Sequence, residues 1–206
     1  MVVTNNSPAP PLRERKRLAA MKRVQRVALD RFRDEGFDAV TVEEVAADAE
    51  VSPMSVYRWF GTKEALVVWD EFDPPILSAV ARRLTTHTPL DAVRDALVDL
   101  LDDVYDRERD TALARARLIY AEPALLAAAD RNGRALRSAL ADVFTDAGVP
   151  GRRARIVAAV AGALLEVAVD TWQREDGART LAELLTEVFA DHAALLHDVT
   201  PVVEHA

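Results

Sequence analysis

The sequence predicts an all-α chain of about nine helices, a small N-terminal domain followed by a longer helical bundle. Three observations predict it. Only seven of 206 residues are glycine, while Ala, Leu, Arg and Glu, which lose little on entering a helix, are abundant. Apolar residues recur at steps of three and four in one segment after another. No stretch sustains the apolar–polar alternation of a half-buried strand.

Residues 1–12 hold Pro8, Pro10 and Pro11 without helical periodicity and are expected to form a disordered tail. A long helix is expected from Arg13 to Glu35, with Leu18, Met21, Val24, Ala28 and Phe32 on one face and arginines on the remainder. Gly36 stands where a C-terminal glycine belongs. Thr41-Val-Glu-Glu44 is a capping box that starts a helix over 42–49. Ser52-Pro53 pairs a capping hydroxyl with proline at the first helical position and starts a helix over 53–60, which Gly61 ends. Thr62 caps a segment carrying Leu66, Val67 and Trp69 that ends near Asp73-Pro-Pro75. Further helices are expected over 75–86, 89–106, 110–120, 123–147, 152–174 and 180–197, punctuated by Thr88-Pro89, Glu122-Pro123, Gly148-Val-Pro-Gly151 and Asp176-Gly177. The expected division is a domain over 13–70 and a second over 71–206.

Composition excludes several classes of protein. Half the residues are apolar and 29% are charged, a globular balance. The absence of cysteine excludes disulfides, thiolate zinc sites and cysteine nucleophiles, and suits a reducing compartment. The start has neither a basic n-region nor an apolar h-region, and the longest apolar run, Ile156 to Leu165, falls well short of the ~20 residues that cross a bilayer. A soluble cytoplasmic protein without membrane contact is expected. The four histidines (His87, His192, His197, His205) form no i, i+4 pair. The acidic group Asp99, Asp102, Asp103 and Asp106 reads as a solvated helix face, and there is no phosphate-cradling glycine loop or nucleophile elbow. No catalytic residue, metal or cofactor is expected.

The net charge of −8 is unevenly spread. Arg13 to Arg33 contains nine basic residues against Glu14 and Asp30, whereas residues 71–206 hold 15 basic and 23 acidic side chains. A local patch rather than the net charge sets what a surface attracts.

Thr41 to Phe60 reads as two short helices joined by a three-residue turn, with Val45, Ala49, Val51 and Val56 as apolar contacts and Ala46 as the small residue that permits close approach. At about 100° per residue from Val56, Phe60 lies near 40° and Pro53 near 60°, the edge expected to be buried. Met54, Arg58 and Ser55 fall at about 160°, 200° and 260°, facing out, with Tyr57 and Trp59 flanking at about 100° and 300°. Such a face offers a guanidinium suited to guanine and small groups able to touch base edges, while Tyr57 and Lys63 sit where phosphates would pass.

Residues 24–66 resemble the DNA-binding domain of the TetR family of transcriptional repressors. The matching run is Val24-x-x-Val-Ala-x-x-x-Phe32, Gly36-Phe37, Thr41-Val42, Val45-Ala46, Ala49, Val51-Ser52, Val56-Tyr57-Arg58-Trp59-Phe60 and Lys63-Glu64-x-Leu66. Glu50 departs from the pattern, which has glycine in the turn; at positive φ it would cost about 1 kcal/mol relative to glycine. The resemblance implies a homodimer whose recognition helices enter successive major grooves of an operator about 34–36 Å apart. By position it implies DNA contacts from Met54, Ser55, Arg58 and Trp59 to bases and from Tyr57 and Lys63 to phosphates. Thr41 and Ser52 stand at the helix starts beside them, and Arg13, Arg15, Lys16 and Arg17 are available as a basic arm.

The resemblance further implies that the second domain receives a small-molecule effector and dimerises through its last two long helices. Ile156, Val160, Ala163 and Val167, with Ala159 and Gly162 small enough for close approach, would supply one helix of that interface; Leu181, Leu184, Leu185 and Val188 would supply the other. Trp69, Phe72, Tyr105, Tyr120 and Trp172 would line the effector pocket, with Arg117 as an anion anchor. The stretch Arg115 to Ala127 resembles a subgroup associated with acyl-CoA ligands. An alternative expectation is a helical ligand-binding or scaffolding protein without operator binding, for which Glu50 is the one hint.

Overall fold

The computed structural model describes residues 11–107 and 109–197, and their side chains except at 102–107, so most of the expected 1–12 tail lies outside the described residues. The chain divides into two units, the first ending at Trp69 and the second beginning at Asp70. Ten helices and no strands occur among the described residues.

In the first unit, α1 (Leu12–Glu35) buries Met21, Val24, Ala28 and Phe32 along one stripe, and Phe37 closes edge-on against Phe32 at 5.0 Å. The Gly36 N–H reaches the Phe32 carbonyl at 3.1 Å with φ +91°. α2 (Val42–Asp48) starts at the expected capping box: Thr41 Oγ accepts from the Glu44 N–H, and the Thr41 N–H donates to Glu44 Oε2 at 2.8 Å. α3 (Pro53–Phe60) is capped by Ser52 Oγ, which accepts from the Ser55 N–H. α4 (Lys63–Val68) is capped by Thr62 and stops at Trp69, well short of Asp73. Gln25 holds that end by donating to the Trp69 carbonyl at 2.8 Å, Arg23 donates to the Ala49 carbonyl at 2.9 Å, and Arg31 pairs with Asp48 at 2.6 Å. One long helix thereby fixes both the turn and the end of the unit.

Glu50 does take the left-handed conformation, with φ +53°. Its N–H bonds to the Ala47 carbonyl and that of Val51 to the Ala46 carbonyl, the two bonds of a Schellman C-cap. A glutamate therefore occupies a glycine position without altering the turn. Asp176 (φ +55°) ends α9 in the same way, with N–H bonds from Asp176 to Gln173 and from Gly177 to Trp172.

The second unit contains α5 (Asp73–Arg83), α6 (Pro89–Arg107), α7 (Arg109–Ala121), α8 (Pro123–Asp146), α9 (Gly151–Arg174) and α10 (Leu181–His197). Helix α9 packs on α8 and α10, and α6 on α5 and α10. Trp172, Phe144, Leu125, Leu184 and Leu185 are its largest fully buried side chains.

Half of the expected dimer surface is corrected here. Leu181, Leu184 and Leu185 are 2%, 1% and 0% exposed, and Val188 packs against the same core. These four side chains of α10, which packs on α6 and α9, are spent within this chain. On α9, Ile156 and Val167 are 56% and 51% exposed, Ala163 is exposed and Val160 half-buried. At the end of α10, Leu195 and Leu196 are also exposed.

Candidate nucleic-acid interface and effector cavity

α3 packs on α2, with Val56 1% exposed and Val45, Ala46 and Ala49 of the α2 segment likewise buried. Pinned there, the helix turns Met54, Tyr57 and Arg58 outward, with Met54 74% and Tyr57 45% exposed. Ser55 and Trp59 are half-buried at the flanks. Pro53 is exposed, contrary to its helical bearing: at the first position of the helix no preceding turn covers it. Thr41 and Ser52 are exposed, but their hydroxyls are occupied as caps.

Two expected phosphate contacts are held by neighbours. The Tyr57 hydroxyl donates to Glu43 Oε1 at 3.3 Å; desolvation and the nearby Glu43 charge push the phenol above its ordinary pKa, keeping it a neutral donor. The Lys63 ammonium rests over the Phe37 ring at 4.4 Å and the Phe32 ring at 5.6 Å, near the Asp38 carbonyl. This is a cation–π seat that orders the lysine beside the recognition helix.

Arg13, Arg15, Lys16 and Arg17, the residues available as a basic arm, are helical. They are the opening turns of α1, because nothing after Pro11 breaks the helical pattern. Arg13, Lys16 and Arg17 line a concave surface of about 670 Å³ together with Glu14, Ala20, Arg58 and Trp59. The basic run and the outward arginine of α3 thus share one surface. No local signal in the sequence joins segments forty residues apart.

In the second unit a small cavity of about 40 Å³ is lined by apolar side chains of α5, α6, α8 and α9, together with Arg137 and Gly162. Of the expected pocket residues whose side chains are described, none lines it. Trp69 belongs to the first unit, edge-on to Phe60 at 5.7 Å. Phe72 packs on the core, Trp172 is buried within it, and Tyr120 is 46% exposed. Arg117 is taken by Asp176, and Tyr105 lies outside the residues whose side chains are described. The cavity falls instead where α8 crosses α9, and this follows from packing rather than from the placement of aromatics.

Among the described residues no group of His, Asp and Glu side chains could hold a metal ion, and no helix is long and apolar enough to cross a membrane. A family model described as "Bacterial regulatory proteins, tetR family" matches residues 26–68, the segment that builds the recognition helix and its supports. A second, described as "MftR C-terminal domain", matches residues 87–197, more than half the chain. The chain belongs to the TetR family. This TetR-family regulator is 32% identical over 171 residues to the HTH-type transcriptional regulator TcmR of Streptomyces glaucescens, covering 79% of this chain and 70% of the relative. Two solved structures share its fold. One is NalD, the secondary repressor of the MexAB-OprM multidrug efflux pump in Pseudomonas aeruginosa, with a TM-score of 0.54 and 17% identity over 86% of this chain and 96% of that one. The other is the fatty acid degradation regulator FadR from Bacillus halodurans, with a TM-score of 0.54 and 15% identity over 87% and 96%. As a TetR-family member it is a DNA-binding transcriptional regulator and not an enzyme.

Proposed function

We propose that this regulator is a cytoplasmic repressor that binds a palindromic operator as a homodimer and leaves it when a small molecule enters the second unit. The observation that carries this reading is the single surface on which Arg58 and Trp59 of α3 meet Arg13, Lys16 and Arg17 of α1. A guanidinium flanked by Met54 and Ser55 can read base edges, while the basic turn of α1, Tyr57 and Lys63 can hold phosphates on either side. Glu50 keeps the glycine-like turn, so the one hint for a scaffold without operator binding loses its force. The exposed Ile156, Ala163 and Val167 on α9, with the half-buried Val160 beside them, support pairing of two copies. The effector acts by population shift: it must favour a dimer whose recognition helices miss the half-site spacing. The apolar lining of the cavity favours an effector with an apolar body, such as the acyl chain of an acyl-CoA-like compound.

Titration of labelled promoter DNA against salt tests the reading. About six phosphate contacts predict that log affinity falls against log salt with a slope near −5. Arg58→Ala is expected to erase sequence preference while the dimer survives. A flat salt response, or an unchanged preference in that variant, refutes it.

A further inference from the structure

Six arginines among the described residues are half-buried. Arg31, Arg83, Arg94, Arg115 and Arg179 each pair with a carboxylate. Arg137 alone has no hydrogen bond or ion pair among the described residues. It lies on α8 where that helix crosses α9, and two of the chain's glycines make room for it. A Cβ on Gly162 would stand 2.6 Å from Arg137 Cδ and 3.0 Å from its Cγ; one on Gly133 would stand 3.3 Å from its Nη1. Gly162 is thus not a close-approach residue for a second copy but the seat of this side chain. Among the described residues the arginine is also the one charged member of the cavity wall, whose other members include Ile76, Leu97, Leu140 and Leu165.

A guanidinium stem commonly covers apolar surface while its head finds water. Here the covered surface is a cavity, and the head lacks the carboxylate that every comparably buried arginine has. The free space, about 40 Å³, is below what a ligand requires, and the methylenes of Arg137 are the part of the wall that can move most easily. We propose that the cavity admits a molecule with an apolar body and one anionic end, and that Arg137 swings off Gly162 to take the anion. This deepens the effector reading above and rests on it: the effector would be an amphipathic anion, held by a charge-assisted pair in an otherwise dry site.

Titration calorimetry on the full chain with octanoate, octyl phosphate, octan-1-ol and octylamine, all below micellar concentrations, tests it. Octanoate or octyl phosphate is expected to bind at least about ten-fold more tightly than octanol, with octylamine weakest, and the stronger of the two identifies the anion as carboxylate or phosphate. Arg137→Met keeps the stem and removes the charge, so it should equalise the anions and octanol while octanol still binds. Gly162→Ala, whose Cβ would occupy the stem's resting seat, should favour the swung-out arginine and strengthen anion binding without touching Arg137 itself. Octanol binding as tightly as both anions, an anion preference that persists in Arg137→Met, or no binding of any of the four to the parent protein overturns the inference. Operator binding of the ligand-free protein is measured on the same preparation. Anion binding without operator binding would sink the repressor reading and leave this site standing; the reverse would sink this site alone.

Discussion

Glu50→Gly should stabilise the first unit. The residue holds φ +53°, where an L side chain crowds the following carbonyl, and its N–H and that of Val51 complete the C-cap of α2. Leaving the left-handed region to a residue without a Cβ recovers roughly 1–2 kcal/mol. Glycine also gives the unfolded chain more freedom, which offsets about 0.4–1 kcal/mol. The net expectation is a gain of about 1 kcal/mol, or roughly 4–8 °C in the melting temperature of a unit this size. Because the chain has two units, a global melt mixes them. Hydrogen exchange resolves the effect: the amides of Glu50 and Val51 should gain about five-fold in protection while those of α9 stay unchanged. An unchanged or lowered protection would mean that the glutamate side chain contributes something the backbone argument omits, and the strain reasoning would fail.

The remaining predictions concern pH, self-association and salt. Desolvation, with Asp70 nearby, raises the Asp73 carboxyl from 3.8 to about 6, only partly offset by Asn132 and Arg115. An acid whose folded pKa is raised stabilises the fold most below its unfolded pKa and loses that contribution as pH rises through about 6. The shift corresponds to roughly 3 kcal/mol, discounted to about 1–2 because the group is half-exposed and screened. Thermal melts should therefore show Asp73→Asn more stable than the parent at pH 7.5, with the difference shrinking as pH falls through 6 and vanishing only below the ordinary carboxyl value of 3.8; a difference that does not shrink over that range refutes it. Val167→Asp and Ile156→Asp should weaken self-association by at least about ten-fold in sedimentation equilibrium, since a desolvated unpaired carboxylate at an interface is strongly unfavourable. Leu185→Ala should instead cost about 2–5 kcal/mol of folding stability, because its side chain fills this chain's own core. Lys63→Met should lower the salt slope of DNA binding by about one with little effect on folding; an unchanged slope would mean that the lysine stays on its aromatic seat in the complex.

Local chemistry made the first unit legible. Capping depends on residues three apart, so Thr41 with Glu44 and Ser52 with Pro53 announced the starts of α2 and α3 before any packing was known. The outward direction of Met54 and Arg58 followed from one buried valine and the helical period. The same logic misplaced Pro53, because a bearing describes a helix interior and the first residue has no preceding turn. Periodicity also showed that α9 and α10 each have an apolar stripe, but it could not assign the stripe to a partner. On α10 the stripe covers α6 and α9, leaving Leu181, Leu184 and Leu185 no role between copies; on α9 it remains open at Ile156 and Val167.

The same distinction separates the two ligand surfaces. The face proposed to read DNA has members that are neighbours in sequence, so its residue types can be read directly, and only the junction with Arg13, Lys16 and Arg17 needed the fold. The cavity is assembled from four helices, and its defining features are relational: a glycine opposite an arginine 25 positions earlier, and a carboxylate that is absent where five other half-buried arginines have one. Aromatic content pointed to Trp172 and Tyr120, yet a large ring is as useful in sealing a core as in lining a pocket, and Trp172 seals one. An arginine is different. Its charge has to be answered by some group, so an unanswered one beside apolar walls carries information about the missing partner that no aromatic can.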